Sequence, residues 1–134
     1  MSLAWNESFA VHVKEIDTQH RQLFELVNNL GNAMREGKGK EILGKTLSSL
    51  VNYTKLHFAM EERLMMTHGY PDFVSHINQH TLLTQKVLEF MGEFERGRIG
   101  LSIPTMTFLE SWLTNHIMVI DKELGKFLAS KNIC

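Results

Sequence analysis

Residues 40–68 read KEILGKTLSSLVNYTKLHFAMEERLMMTH, and the fold turns on how this stretch repeats. Ile42, Leu43, Leu47, Leu50, Val51, Leu56, Phe58 and Leu64 recur mostly at three- and four-residue intervals, the period of an amphipathic helix. Gly69 ends it, in the position glycine favours after a last helical turn. Towards the end of the stretch, His57 and Glu61 stand four residues apart. That spacing turns an α-helix by about 400°, which returns both side chains to one face about 6 Å apart.

Three more segments share the pattern. A first helix over about residues 18–36 carries Leu23, Phe24, Val27, Leu30 and Met34, with Gly37 as its stop. A third over about 71–96 opens on Pro71, whose missing N–H is harmless in a first turn, and carries Phe73, Ile77, Leu83, Val87, Phe90, Met91 and Phe94 up to Gly97. A fourth over about 103–129 has Ser102 as its expected N-cap, Pro104 just inside, and Phe108, Leu109, Leu113, Ile120, Leu124 and Phe127 along it. Four long helices joined by short links bury their stripes side by side. The expectation is an all-α, antiparallel up-down-up-down four-helix bundle. Residues 1–17 form an N-terminal arm that packs across it through Trp5, Phe9 and Val11, and 1–134 make one domain.

Composition narrows the function classes. Fourteen basic against 15 acidic residues give a net charge of −1, so no overall field draws in nucleic acid or an anionic membrane. The longest apolar run, Ile117-Met118-Val119-Ile120, is far short of the roughly 18 residues of a spanning helix. The start of the chain has no secretory-leader pattern, which makes the cytoplasm the expected location. The single cysteine, Cys134, offers neither an intramolecular disulfide nor a thiolate cage and reads as a frayed terminal thiol.

Seven histidines are the informative excess. A histidine in a bundle core is unfavourable unless its ring nitrogens are occupied. His57 and Glu61 pair on the second helix, and His76 and His80 pair at the same spacing on the third. His20 lies near the start of the first, and His116 and Asp121 lie on the fourth. In an antiparallel bundle all of these reach one level. Five residues on a regular α-helix would set Asp121 about 140° away from His116, so a π-type turn is expected there. His12 and His68 fall outside the set and read as solvated or ordinary core residues. Glu62, one position past the face of His57, reads as solvated, as do Lys38, Lys40 and Lys45 around the first turn.

Five imidazoles and two carboxylates exceed the needs of one ion, and a nitrogen and oxygen set without sulfur suits iron or manganese better than a closed zinc site. Two metals are implied. With Glu61 and Asp121 bridging and an oxide or hydroxide bridge added, an ion held by His76, His80 and His116 is saturated. One held by His20 and His57 keeps an open position.

His20, His57-x-x-x-Glu61, His76-x-x-x-His80 and His116-x-x-x-x-Asp121 resemble the seven-ligand pattern of the hemerythrins, and the chain is similar to their single-domain bacterial members along nearly its whole length. The likeness extends to Trp5-Asn6-Glu7, Tyr70-Pro71 and Trp112-Leu113. It implies a non-haem di-iron centre that binds dioxygen reversibly at the iron held by His20 and His57, for oxygen transport, storage or delivery. It also implies that Leu113 and Trp112 line the oxygen pocket, exclude water and slow autoxidation. An oxygen- or redox-sensing module would use the same site. An enzyme is disfavoured by the imidazole-rich coordination and the lack of a spare acid or base. Because ligating imidazoles must be neutral, iron is expected to leave as the pH falls below about 6.

Overall fold

The structure, a computed structural model, describes residues 4–37, 39–97 and 103–133. A 3-10 turn, Glu7–Phe9, precedes α1 (Lys14–Arg35), α2 (Lys40–His68) and α3 (Phe73–Glu95). The fourth rod consists of α4 (Ile103–Asn115), a π-helical segment (His116–Asp121) and α5 (Lys122–Ser130), which succeed one another without leaving helical dihedrals. Every regular element among the described residues is helical. The rods make a four-helix bundle in which α1 packs on α2 and α4, and α2 packs on α3. None is long and apolar enough to cross a membrane, among the described residues. The expected N-cap Ser102, Lys38 and the terminal Cys134 lie outside the described residues.

Two helix starts differ from the sequence reading, each for a local reason. α1 begins at Lys14 rather than near Thr18. The carboxylate of Asp17, one turn inside the helix, accepts from the backbone N–H of Val11 at 2.8 Å and of His12 at 3.1 Å. Those bonds hold the arm where His12 adopts a left-handed φ of 65°. α3 begins at Phe73, with Pro71 in the preceding turn rather than in the helix, and Phe73 N–H bonds to the Tyr70 carbonyl at 3.2 Å. α2 ends as its glycine indicates: Gly69 has a φ of 68°, and its N–H returns to the Met65 carbonyl.

The apolar interior is in two parts. A larger cluster includes Leu23, Phe24, Leu30, Leu50, Phe58, Leu83, Leu109, Leu113 and Ile117. A smaller one joins Val11, Val13 and Ile16 of the arm and α1 to Met60, Met65, Tyr70, Leu124 and Leu128. Along each rod a polar stretch falls between the two clusters, so a buried polar layer crosses the whole bundle. The arm closes the smaller cluster by lying directly on α5. A Cβ on Gly125 would sit 2.5 Å from the Val11 carbonyl oxygen and 2.9 Å from its Cβ. Phe9 meets Phe24 edge-on at 5.0 Å, and Trp5 lies under the Arg21 guanidinium at 4.0 Å.

Candidate metal centre

The polar layer consists of His20 from α1, His57 and Glu61 from α2, His76 and His80 from α3, and His116 and Asp121 from the ends of the π segment. All seven are buried, none more than 4% exposed. They fall into two groups whose donor atoms lie within 4.8 Å of one another: His76, His80 and His116 in one, His20 and His57 in the other, with Glu61 and Asp121 in both. His12 and His68 belong to neither. The π segment supplies the fourth rod's pair. Lys122 N–H reaches back to the Ile117 carbonyl, a five-residue closure that carries Asp121 over His116, and Asp121 Oδ1 lies 3.0 Å from His116 Nε2.

Each carboxylate divides its oxygens between the groups. Asp121 turns Oδ2 to His20 Nε2 at 2.8 Å and Oδ1 to His76 Nε2 at 3.2 Å and to His116. Glu61 turns Oε2 to His57 Nε2 at 3.4 Å and Oε1 to His80 and His76 at 3.1 and 3.4 Å. These approaches miss the direction of a hydrogen bond: both oxygens of Glu61 and Asp121, and Nε2 of His20, His57 and His76, are buried without a hydrogen-bond partner. His80 Nε2 and His116 Nε2 face each other at 3.2 Å. So many acceptors and ring nitrogens aimed at common points are unfavourable unless a positive charge stands among them. The donor set therefore fits a metal centre, with the histidines in two groups and each shared carboxylate turning one oxygen to each.

Two side chains orient the rings from behind. With Nδ1 protonated, His57 donates to Gln19 Oε1 at 2.7 Å and His80 donates to Glu62 Oε2 at 3.0 Å, which leaves Nε2 of each ring with a lone pair available to a metal. Glu62 is thus not simply solvated: its oxygen holds a ring of the next helix. The sequence of α2 alone carries no sign of this, because the partner is 18 positions away on α3. Phe58 stacks on His80 with 3.7 Å between ring centres, and Trp112 stacks on His116 at 4.7 Å. A cavity of about 30 Å³ adjoins His20, His57, His116 and Asp121, and its remaining walls, Leu23, Val27, Leu50, Leu109 and Leu113 among them, are mainly apolar.

Without cations, protons take over part of the neutralisation. Burial opposes a charge on His116, but the Asp121 carboxylate overrides it and pushes the imidazole up to about 10. His76 is raised against burial by its contacts with Asp121 and Glu61. Burial works against ionising Asp121 and Glu61, yet the surrounding imidazoles hold both well below the usual carboxylate range. The signs set a pH dependence. Stability from the raised His116 is fully present below its ordinary value of 6.5 and is lost as the pH climbs towards about 10. Stability from the two depressed carboxylates is present above their ordinary values and is lost in acid. The metal-free protein is therefore expected to lose thermal stability between pH 7 and 9, while metal affinity rises over the same interval because each bound ion displaces protons. Melting curves of the metal-free protein and proton release on loading in weak buffer check the two slopes. Proton competition from His116 and His76 is thus expected to begin above the ordinary histidine value of 6.5.

This bundle with an imidazole-rich, two-carboxylate centre belongs to a known class. The chain matches the family described as Hemerythrin HHE cation binding domain over residues 11–128, and it is a member of that family. It is 33% identical over 129 residues to the bacteriohemerythrin of Methylococcus capsulatus, spanning 96% of this chain and 98% of that protein. It is 30% identical over 117 residues to a hemerythrin-like protein of Naegleria gruberi, covering 87% and 86% of the two chains. A crystal structure of wild-type hemerythrin superposes with a TM-score of 0.90 at 32% identity, covering 94% of this chain and 97% of that one.

Proposed function

We propose that the protein binds dioxygen reversibly at a pair of iron ions, for oxygen transport, storage or delivery in the cytoplasm, as a single hemerythrin-like domain over residues 1–134. In this reading His76, His80 and His116 would hold one iron, His20 and His57 would hold the other, and Glu61 and Asp121 would be shared between them. The observation that carries it is the division of each carboxylate between the two histidine groups, together with a small apolar cavity against the group with fewer histidines. When bound, an iron pair supplies two electrons that dioxygen can take up and return.

The protein's own groups perform the rest. The two carboxylates offset half of the charge of two divalent ions, so a site taken out of water is not left strongly positive. Gln19 and Glu62 keep the His57 and His80 rings in one tautomer and one orientation. Leu113 and Trp112 border the cavity and keep water from the ligand. The ionisable groups that line this cavity are proposed metal ligands, which supports binding rather than turnover. The test is to load the protein with ferrous iron under inert gas, assay iron per chain, admit dioxygen and then purge it. An absorption band that appears and disappears with the gas supports a carrier; immediate irreversible oxidation would favour redox sensing or an enzymatic use. Leu113→Ala is expected to speed autoxidation about tenfold, the effect of lowering the barrier to water entry by about 1.4 kcal/mol. The decay of the oxygenated spectrum measures it, and an unchanged rate would remove Leu113 from this role.

A further inference from the structure

The cavity beside His20 and His57 is enclosed by all four rods, and it shares lining residues with a space in the seam between α2 and α3 that in turn shares lining with a third. A space of about 10 Å³ lies between Val51, Thr54, Lys55, Thr84 and Val87. Beyond it an open groove of about 270 Å³ is bordered by Lys55, Glu62, Thr81, Thr84 and Gln85. Thr54 and Val87 border both the inner cavity and the middle space, and Lys55 and Thr84 border both the middle space and the groove. Burial follows the same order, from exposed Lys55 through half-buried Thr84 and Thr54 to buried Val51 and Val87. We propose that this seam is the entry route and filter for a small apolar gas, with Thr54 and Val87 as its inner constriction and Thr84 at its mouth. The gas is dioxygen if the proposed function holds, and the inference rests on that reading for the identity of its cargo.

Chemistry at the constriction sets what passes. The Thr54 hydroxyl donates to the Leu50 carbonyl at 2.7 Å, so its proton is already engaged within its own helix. Val51 and Val87 add only apolar surface. Water or an anion would give up hydrogen bonds there without replacement, whereas dioxygen has almost none to lose. Size agrees as well: a water-sized atom needs about 10–15 Å³, and the inner cavity of about 30 Å³ accommodates a diatomic molecule but not a large ligand. A direct path past Phe58, which borders both the groove and the inner cavity, is closed by its stacking on His80 at 3.7 Å and its edge contact with Trp112 at 5.7 Å. Short side chains at Thr54, Thr84 and Val87 need only small rotamer excursions to open the seam.

A barrier on a route is crossed in both directions, so altering it changes association and dissociation by one factor and leaves affinity alone. Thr84→Trp places an indole over the groove and is expected to slow both dioxygen rates of the iron-loaded protein about tenfold, equivalent to about 1.4 kcal/mol on the barrier. Val87→Ala is expected to speed both, though not by one factor, because Val87 also borders the inner cavity. Xenon supplies a readout independent of iron chemistry: in the intact chain it should occupy the inner cavity, with exchange seen by xenon NMR slowed in Thr84→Trp and hastened in Val87→Ala. Unchanged rates and unchanged xenon exchange in both variants would overturn the route, as would a change in affinity without matched rate changes in Thr84→Trp. Xenon exchange that responds as expected in a protein that fails to bind dioxygen reversibly would uphold the seam as a gas route and reject dioxygen as its cargo.

Discussion

Replacing Glu61 with leucine is expected to lower iron affinity by at least about 1,000-fold, a loss of about 4 kcal/mol. Its two oxygens lie within 4 Å of ring nitrogens from all five histidines of the layer, at 3.1 Å from His80, 3.4 Å from His57 and His76, 3.8 Å from His20 and 3.9 Å from His116. Among the seven, only Glu61 and Asp121 belong to both histidine groups. Leucine is close in volume, so the substitution removes charge and donor oxygens without opening a hole. His76 and His116, whose raised values owe part to Glu61, lose a counter-charge and are lowered in the variant. The decisive measurement is the difference in melting temperature with and without iron. Ligand at 1,000 times its dissociation constant stabilises by about 4 kcal/mol per site, and this increment, read against the variant's own metal-free melting temperature, should vanish in Glu61→Leu. A variant that retained the iron-induced rise would show that the carboxylate is not shared between two ions.

Gly125→Ala is expected to destabilise the metal-free protein by about 3 kcal/mol, the upper part of the range for forcing extra volume into a packed interior. Helix propensity alone predicts the opposite sign, because alanine is favoured over glycine inside a helix by about 1 kcal/mol. The clash decides it. A new Cβ would stand 2.5 Å from a backbone carbonyl oxygen and 2.9 Å from a Cβ of Val11, and neither atom is the far end of a flexible side chain. The arm must move off α5, breaking the bonds from Val11 and His12 to Asp17 and exposing part of the smaller core. Calorimetry should find a midpoint lower by roughly 10 °C. A midpoint raised above wild type would mean that the arm does not lie on α5 in solution.

Features written within one helix were open to sequence reasoning. The four-residue spacings of His57 with Glu61 and of His76 with His80 fix their shared faces by helix geometry alone. The five-residue spacing of His116 and Asp121 predicts a local π turn, and the segment His116–Asp121 has that form. Features that depend on two elements meeting were not open in this way. Glu62 looks solvated along α2, and only the position of α3 brings His80 to its carboxylate. Gln19 carries no mark in its own neighbourhood; its role comes from the approach of His57 across the bundle. The early start of α1 follows from Asp17 binding backbone N–H groups upstream of the helix it belongs to, a reversal of the usual cap in which the residue before the helix binds forward. The place of Gly125 under the arm is likewise invisible until Val11 is laid across it.

The buried polar layer has one more consequence. It cuts the apolar interior into a larger and a smaller block, and side-chain packing alone joins them poorly where ring nitrogens and carboxylates face one another unpaired. Ions clamped between all four rods would act as a rivet, so that the end containing the arm and α5 could not fray independently of the rest. Whether the molecule opens in one cooperative step or in two successive ones is then decided by what fills a slab a single side chain thick.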